Sequence, residues 1–264
     1  MNICKQTFTI APTRKNAHCE SSSSISLAIV IPTRIISLSR SRRCYSTAPI
    51  GMSTSQIVEH VVLFKVKPDV EAAKVNDMIG NLNGLASLPQ VAHIAAGALL
   101  RARSSSLSFT HMLHSRYRSK SDLADYSAHP DHVAVVKGYV LPICEDIMAV
   151  DWIPDCFSGP IKVPAGSAIR ATFLKLKESV GENEKNEILR VNKGIKEKFP
   201  SIEQLCVGEN FSARAKGYSI ASIAIFRGVS ELEALNEAKD KVEEFLDDVL
   251  AVDFAVPAEQ SANL

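Results

Sequence analysis

Apolar positions recur along the chain in two alternating rhythms. Over Ile57–Val66 the period is two: Val61 and Leu63 fall on one side, His60, Val62, Phe64 and Val66 on the other. Both sides are apolar, so both should be covered by other parts of the chain, and His60 shares a buried face. After Pro68-Asp69 the spacing turns helical. Val75, Met78, Ile79, Leu82 and Leu85 recur on one side and Lys74, Asn76, Asp77 and Asn81 fill the other, until Gly84 through Pro89 ends the run. Strands are predicted in Val91–Leu100 and Phe109–Tyr117, separated by a serine-rich turn at Ser104–Ser106. Phe109, His111, Leu113 and Tyr117 share one face of the later strand; Met112, His114 and Arg116 share the other. A short helix that Ser119 or Ser121 can cap carries Leu123 and Tyr126. The next helix turns Val135, Val136, Tyr139 and Ile143 inward, and Ile147–Ile153 forms a fourth strand. Three prolines and two glycines make residues 154–167 a linker.

The same succession then returns. Arg170-Ala-Thr-Phe-Leu-Lys-Leu-Lys177 echoes His60-Val-Val-Leu-Phe-Lys-Val-Lys67 at an offset of 110 residues. A helix with Ile188, Val191, Ile195 and Phe199 inward follows, Cys206-Val-Gly208 echoes Ala95-Ala-Gly97, and Ser219–Phe226 is strand-like. A longer helix is expected to carry Leu232, Leu235, Val242, Phe245, Leu246 and Val249. Ala251-Val-Asp-Phe254 repeats Ala149-Val-Asp-Trp152 at an offset of 102, about eight residues shorter. The missing stretch is the one holding Tyr126–His132 in the first copy, and no histidine follows His132. The chain therefore reads as α+β: two ferredoxin-like β-α-β-β-α-β repeats, 57–153 and 168–256, between a 1–51 leader and a 257–264 tail. Each should form a four-stranded antiparallel sheet with helices on one face. The bare apolar faces can cover each other by closing into one barrel within the chain, helices outside, which also removes exposed edges.

Candidate chemistry concentrates in Tyr126-Ser-Ala-His129-Pro130-Asp-His132. The residue before a proline avoids the α region, and proline suits a first helical turn. One helix should thus end near His129 and another begin at Pro130, holding Tyr126, His129 and His132 at the junction. An imidazole with a reference pKa of about 6.5 accepts or releases a proton near neutrality, and a phenol donates a hydrogen bond or a proton. The same residues also suit a structural junction of satisfied polar groups, and His60 equally suits a satisfied core position. His129-x-x-His132 lacks the further ligands that zinc requires.

Composition narrows the field. With 46% hydrophobic residues the chain supports a real core. Its net charge of +1 hides an asymmetry: residues 1–51 hold seven basic residues and one acid, which leaves 23 basic and 28 acidic residues beyond, a net of −5. An acidic body argues against nucleic acid as a partner. Cys144, Cys156 and Cys206 stand beyond the leader without CxxC spacing, so neither a disulfide framework nor a zinc ribbon is expected, and a reducing compartment suits them. Residues 1–51, rich in Ser and Arg, have the make-up of a plastid or mitochondrial presequence. The run Ile25–Leu38, broken by Pro32 and Arg34, is too short to span a membrane. The closing Ala262-Asn263-Leu264 resembles a weak peroxisomal signal. An organelle is expected, not secretion.

His60-Val-Val-Leu-Phe-Lys-Val-Lys-Pro-Asp, Thr110-His111, Tyr126-x-x-His129-Pro130-x-His132 and Ala149-Val-Asp-Trp152 together resemble the stress-responsive dimeric α/β-barrel family, most of all its plant tandem-repeat members. The likeness is strong over 57–153 and weaker over 168–256. It implies a barrel that holds a small apolar or carbonyl-containing ligand, with no cofactor required. The alternative it implies is a polyketide cyclase or isomerase like olivetolic acid cyclase. His132 would be the general base and Tyr126 the orienting or acid group. His60 and His111 would line the same cavity, with His129, Phe64 and Phe109 as ligand-binding neighbours. The resemblance also implies magnesium on main-chain carbonyls of Asn83, Ala86, Ser87 and Pro89, and a homodimer as a further assembly. Haem, bound by related barrels outside this family, is a third reading.

Overall fold

The computed structural model describes residues 56–104, 106–234 and 245–258. The leader and the Ala-Asn-Leu ending lie outside them, as do Leu235 and Val242. Eight strands form one antiparallel sheet: β1 (Val58–Val66), β2 (Val91–Arg103), β3 (His111–Tyr117), β4 (Cys144–Trp152), β5 (Ala168–Leu176), β6 (Ile202–Glu209), β7 (Ile220–Phe226) and β8 (Leu246–Ala255). Their order is β4-β1-β3-β2-β8-β5-β7-β6, so both repeats arrange their four strands alike and meet where β2 pairs with β8. Six helices are described: α1 (Ala72–Gly84), α2 (Lys120–Ala128), α3 (Pro130–Val135), α4 (Glu182–Lys193), α5 (Ile195–Lys198) and α6 (Val229–Ala234).

The two outer strands of this sheet also meet. An antiparallel bridge joins Trp152 to Asn210, and the Phe211 N–H donates to the Asp151 carbonyl at 2.8 Å. The two seams share one packing device. Each repeat has a glycine on its second strand, and the aromatic residue of the other repeat's fourth strand lies over it. A Cβ on Gly97 would stand 3.3 Å from Phe254 Cε2; one on Gly208 would stand 2.9 Å from Trp152 Cδ1 and 2.6 Å from the Ile153 carbonyl oxygen. The seams differ in length. β2 runs on to Arg103 and pairs with β8, whereas β6 stops at Glu209 and its chain leaves as the 210–219 segment.

Strand alternation sorts the side chains into two layers. Val61, Leu63, Met112, Met148, Trp152, Phe173 and Phe254 point into the barrel and pack there as one core. Val58, Phe64, Val66, Leu113 and Tyr117 point outward and pack under α1 to α3. Eight strands thus enclose a space that side chains fill. Phe109, assigned to the ligand, belongs to this inner core.

Two further expectations give way. Tyr139 is exposed and Val140 is buried in its place, because residues Val136–Val140 widen into a π turn that moves the helical phase. Leu246 and Val249 belong to β8 and not to a helix. The register shift opposite Lys175/Leu176 is a bulge that puts both on one face at a spacing of three, which imitates a helical period.

The inner layer also holds a charged network. Both carboxylate oxygens of Glu59 accept from Arg116 Nε, at 2.9 and 3.1 Å, and Glu59 Oε2 also accepts from His114 Nε2 at 2.7 Å. Arg116 reaches the Pro160 and Ile161 carbonyls and Gln204, which ties the linker and repeat 2 to repeat 1. Burial works to raise the Glu59 pKa, but the Arg116 charge and His114 bring it down to about 2. Burial, with the charges of His114 and Arg116, holds His93 down to about 2, and burial lowers His114 as well.

Two consequences can be measured. Gly208→Ala forces a side chain onto backbone and should cost about 1–3 kcal/mol in urea unfolding, whereas Gly97→Ala meets only a ring edge and should cost under about 1 kcal/mol. His93 stays neutral in the fold while the unfolded chain takes up protons below pH about 6.5, so its contribution is complete above that pH and shrinks toward acid. Between pH 7 and pH 5 this should remove about 2 kcal/mol, and His93→Leu should lose correspondingly less over the same interval.

Candidate functional site

β1 carries His60, Val62 and Phe64 on its outer face, and the register sets His60 beside Asp151 on β4 and Ser115 on β3. His60 Nδ1 hydrogen-bonds the Asp151 carboxylate, and both residues are buried. Burial works to raise the Asp151 pKa, but the hydrogen bond and charge of His60, with the Arg214 charge, bring it below the ordinary value. The equivalent places in repeat 2 hold Arg170 and Asp253, joined by Nε to Oδ1 at 2.7 Å and Nη2 to Oδ2 at 2.9 Å.

The roof over this pair is the α2–α3 junction. Ser119 caps α2, accepting from the Asp122 N–H at 3.0 Å. His129 is extended, with φ −60° and ψ 134°, as a residue before proline should be, and Pro130 opens α3. The same geometry lets His129 Nδ1 accept from the Asp131 N–H at 3.2 Å, so His129 serves as the cap of α3. His132 Nδ1 lies 3.0 Å from the Ser127 carbonyl. A carbonyl only accepts, so Nδ1 carries the proton and the Nε2 of the neutral ring holds the lone pair. Burial keeps His132 below its usual pKa, against the pull of the Ser127 bond.

Tyr126 is buried, its ring centroid 4.5 Å from that of His132 and 5.0 Å from that of Tyr117. Burial pushes the Tyr126 phenol up to about 12 even though Tyr117 hydrogen-bonds it, so it remains a donor at every physiological pH. Ser115 donates to Tyr117 at 3.1 Å. Tyr117 can then donate to Tyr126, which leaves the Tyr126 proton for another acceptor.

These groups border a cavity of about 540 Å³ between the outer face of β1, β3 and β4 and the helices. Its apolar lining includes Val62, Phe64, Leu113, Val136 and Ile147, its polar lining His60, Tyr126 and His132. Ala213, Arg214 and Lys216 of repeat 2 complete the rim. A groove of about 870 Å³ between α1, β2 and the linker is larger, but of the imidazoles it holds His93 alone. No group of three or more His, Cys, Asp or Glu side chains that could hold a metal occurs among the described residues.

Of the residues singled out in the sequence, the cavity brings together His60, Phe64, Tyr126 and His132. His111 stands outside it, 2.8 Å from Thr110 Oγ1, and burial lowers its pKa. At the end of α1 the Asn83 amide is engaged with the Ala96 backbone on both sides, at 2.8 and 3.1 Å. The carbonyls of Gly84 and Leu85 accept from Ser87 and Leu88 at 3.0 and 3.1 Å. These bonds shape the turn that carries Asn83, Ala86, Ser87 and Pro89. Sequence reading missed Asp151, Tyr117, Arg214 and Lys216. Asp151 had a signal, since the same aspartate stands in Ala149-Val-Asp-Trp152 and Ala251-Val-Asp-Phe254; Arg214 and Lys216 had none.

The comparisons agree with the duplicated architecture. The model of the stress responsive A/B barrel domain matches twice, at residues 58–154 and 169–256. One stress-response A/B barrel domain-containing protein of Arabidopsis thaliana is 54% identical over 232 residues, covering 84% of this chain and 88% of that protein. A second protein of the same plant, described in the same words, is 48% identical over 211 residues, covering 77% and 99%. Among solved structures, a putative monooxygenase from Fusobacterium nucleatum is 12% identical with a TM-score of 0.51, covering 78% of this chain and 94% of its own, a likeness of fold alone. Two matched domains and relatives aligned along most of their length place this chain in the stress-responsive A/B barrel family, as a tandem member with both domains in one polypeptide.

Proposed function

We propose that the outer cavity of repeat 1 binds a small, largely apolar molecule bearing a carbonyl group. The reading rests on one observation: a neutral imidazole with a defined tautomer, a protonated phenol and a buried His–Asp pair border one apolar space. These groups also equip the cavity for cofactor-free proton transfer, as in a cyclase or isomerase. In that reaction His132 Nε2 takes the proton from the carbon next to the carbonyl. Tyr126 donates a hydrogen bond to the oxygen as it gains negative charge, supported from behind by Tyr117 and Ser115. Asp151 fixes the ring of His60 through Nδ1 and leaves its Nε2 to orient the ligand. Holding a ligand without turnover is the second reading, favoured by an apolar lining that needs no chemistry to be filled.

The cavity is complete within one chain, so pairing of whole chains is a further proposal that it does not require. No described helix is long and apolar enough to cross a membrane. The organellar address is likewise proposed, and fluorescent fusions at each end would separate a C-terminal peroxisomal route from an N-terminal one.

Mass spectrometry of the small molecule that co-purifies from native tissue should reveal a carbonyl compound; a chain that carries nothing into the spectrometer would count against the reading. With that compound, His132→Ala should slow deuterium exchange beside the carbonyl by roughly 10²-fold or more, with the urea midpoint nearly unchanged. Tyr126→Phe should slow it less. Because His132 is held below its usual value, exchange should be complete at neutral pH and fall only below about pH 6.5. With Tyr126 near 12, no alkaline loss should appear between pH 7 and 9. An acid limb centred above pH 6.5 would remove His132 as the base.

A further inference from the structure

The cavity of repeat 1 is finished by repeat 2. Where β6 stops, the 210–219 segment crosses the end of β4 and sets Arg214 and Lys216 on the rim. The segment is pinned. Asn210 Oδ1 accepts from the N–H groups of Asp151 and Ser212 at 3.1 and 2.9 Å, and the Arg214 carbonyl accepts from the Ala149 N–H at 3.3 Å. Its turn is tight, with Lys216 at φ 52° and Gly217 at φ 88°, the left-handed region that costs a lysine energy.

The two cations differ in what they face. Lys216 Nζ is 2.7 Å from Asp146 Oδ1, so its charge is matched. The exposed Arg214 guanidinium forms no hydrogen bond or ion pair among the described residues. The buried Asp151 carboxylate is already held by His60. Arg214 still lies close enough to lower the pKa of both Asp151 and His132. A guanidinium presents a planar fork that pairs with a carboxylate through two parallel hydrogen bonds. One such fork at the mouth, with apolar walls and a neutral base beyond it, suits a molecule whose ends differ.

We infer that the ligand of this cavity is an apolar carboxylate, its carboxylate held at the rim by Arg214 of repeat 2 and its apolar part directed inward. The inference rests on the cavity reading above and adds the head group. One unmatched guanidinium suits a single negative charge. The degenerate repeat thereby acts as a specificity element for the equipped one.

Decanoate and decanol share a tail and differ at the head, so ligand-observed NMR titration of both against the full chain tests the inference. Decanoate should bind roughly tenfold or more tightly than decanol at low salt, and added salt should narrow the gap. Arg214→Ala should abolish the preference without altering decanol binding, and Arg214→Glu should reverse it. Equal binding of the two, or equal weakening of both by Arg214→Ala, would overturn the carboxylate assignment and leave the apolar cavity standing. Failure of both to bind would overturn the cavity reading and this inference with it.

Discussion

Eight strands closed into a ring leave an interior that the side chains of the ring themselves fill, and this limit decides where chemistry can sit. Val61, Leu63, Met112, Met148, Trp152, Phe173 and Phe254 occupy that interior. Any pocket must then form on the other face, between sheet and helices. The alternation of β1 sends His60, Val62 and Phe64 there. The break at Pro130 does the rest: it ends α2, starts α3 and suspends Tyr126 and His132 above the strand.

The repeats show what one ancestral layout becomes under two demands. Both keep an aspartate on the fourth strand facing a nitrogen base on the first. In repeat 1 the partner is an imidazole, which can exchange protons, and the pair opens on a cavity. In repeat 2 it is a guanidinium, permanently charged and bidentate, and the pair is a clamp. Asp253 also accepts from Arg103 at 3.3 Å, so the clamp ties β8 to β2 of repeat 1 as well as to β5.

Much of this was legible in the sequence. Period-two and helical rhythms, their return at offsets of 110 and 102, and the proline after His129 were sufficient for the β-α-β-β-α-β plan, the barrel and the helix junction. The errors are local and physical. A π turn exchanged Tyr139 for Val140, and a bulge made β8 look helical. The outer cavity was not foreseen, since alternation separates two faces without saying which one meets its copy. Arg214 and Lys216 left no trace, because the segment bearing them belongs to a cavity more than 60 residues away along the chain.

The unequal seams carry a wider implication. In a ring made from two identical polypeptides, any change in the 210–219 segment would be imposed at both junctions, over both cavities at once. Joining the halves end to end lifts that symmetry. One junction can remain a plain ladder while the other becomes a rim, so each half can drift toward a different task without the other having to tolerate the same substitution.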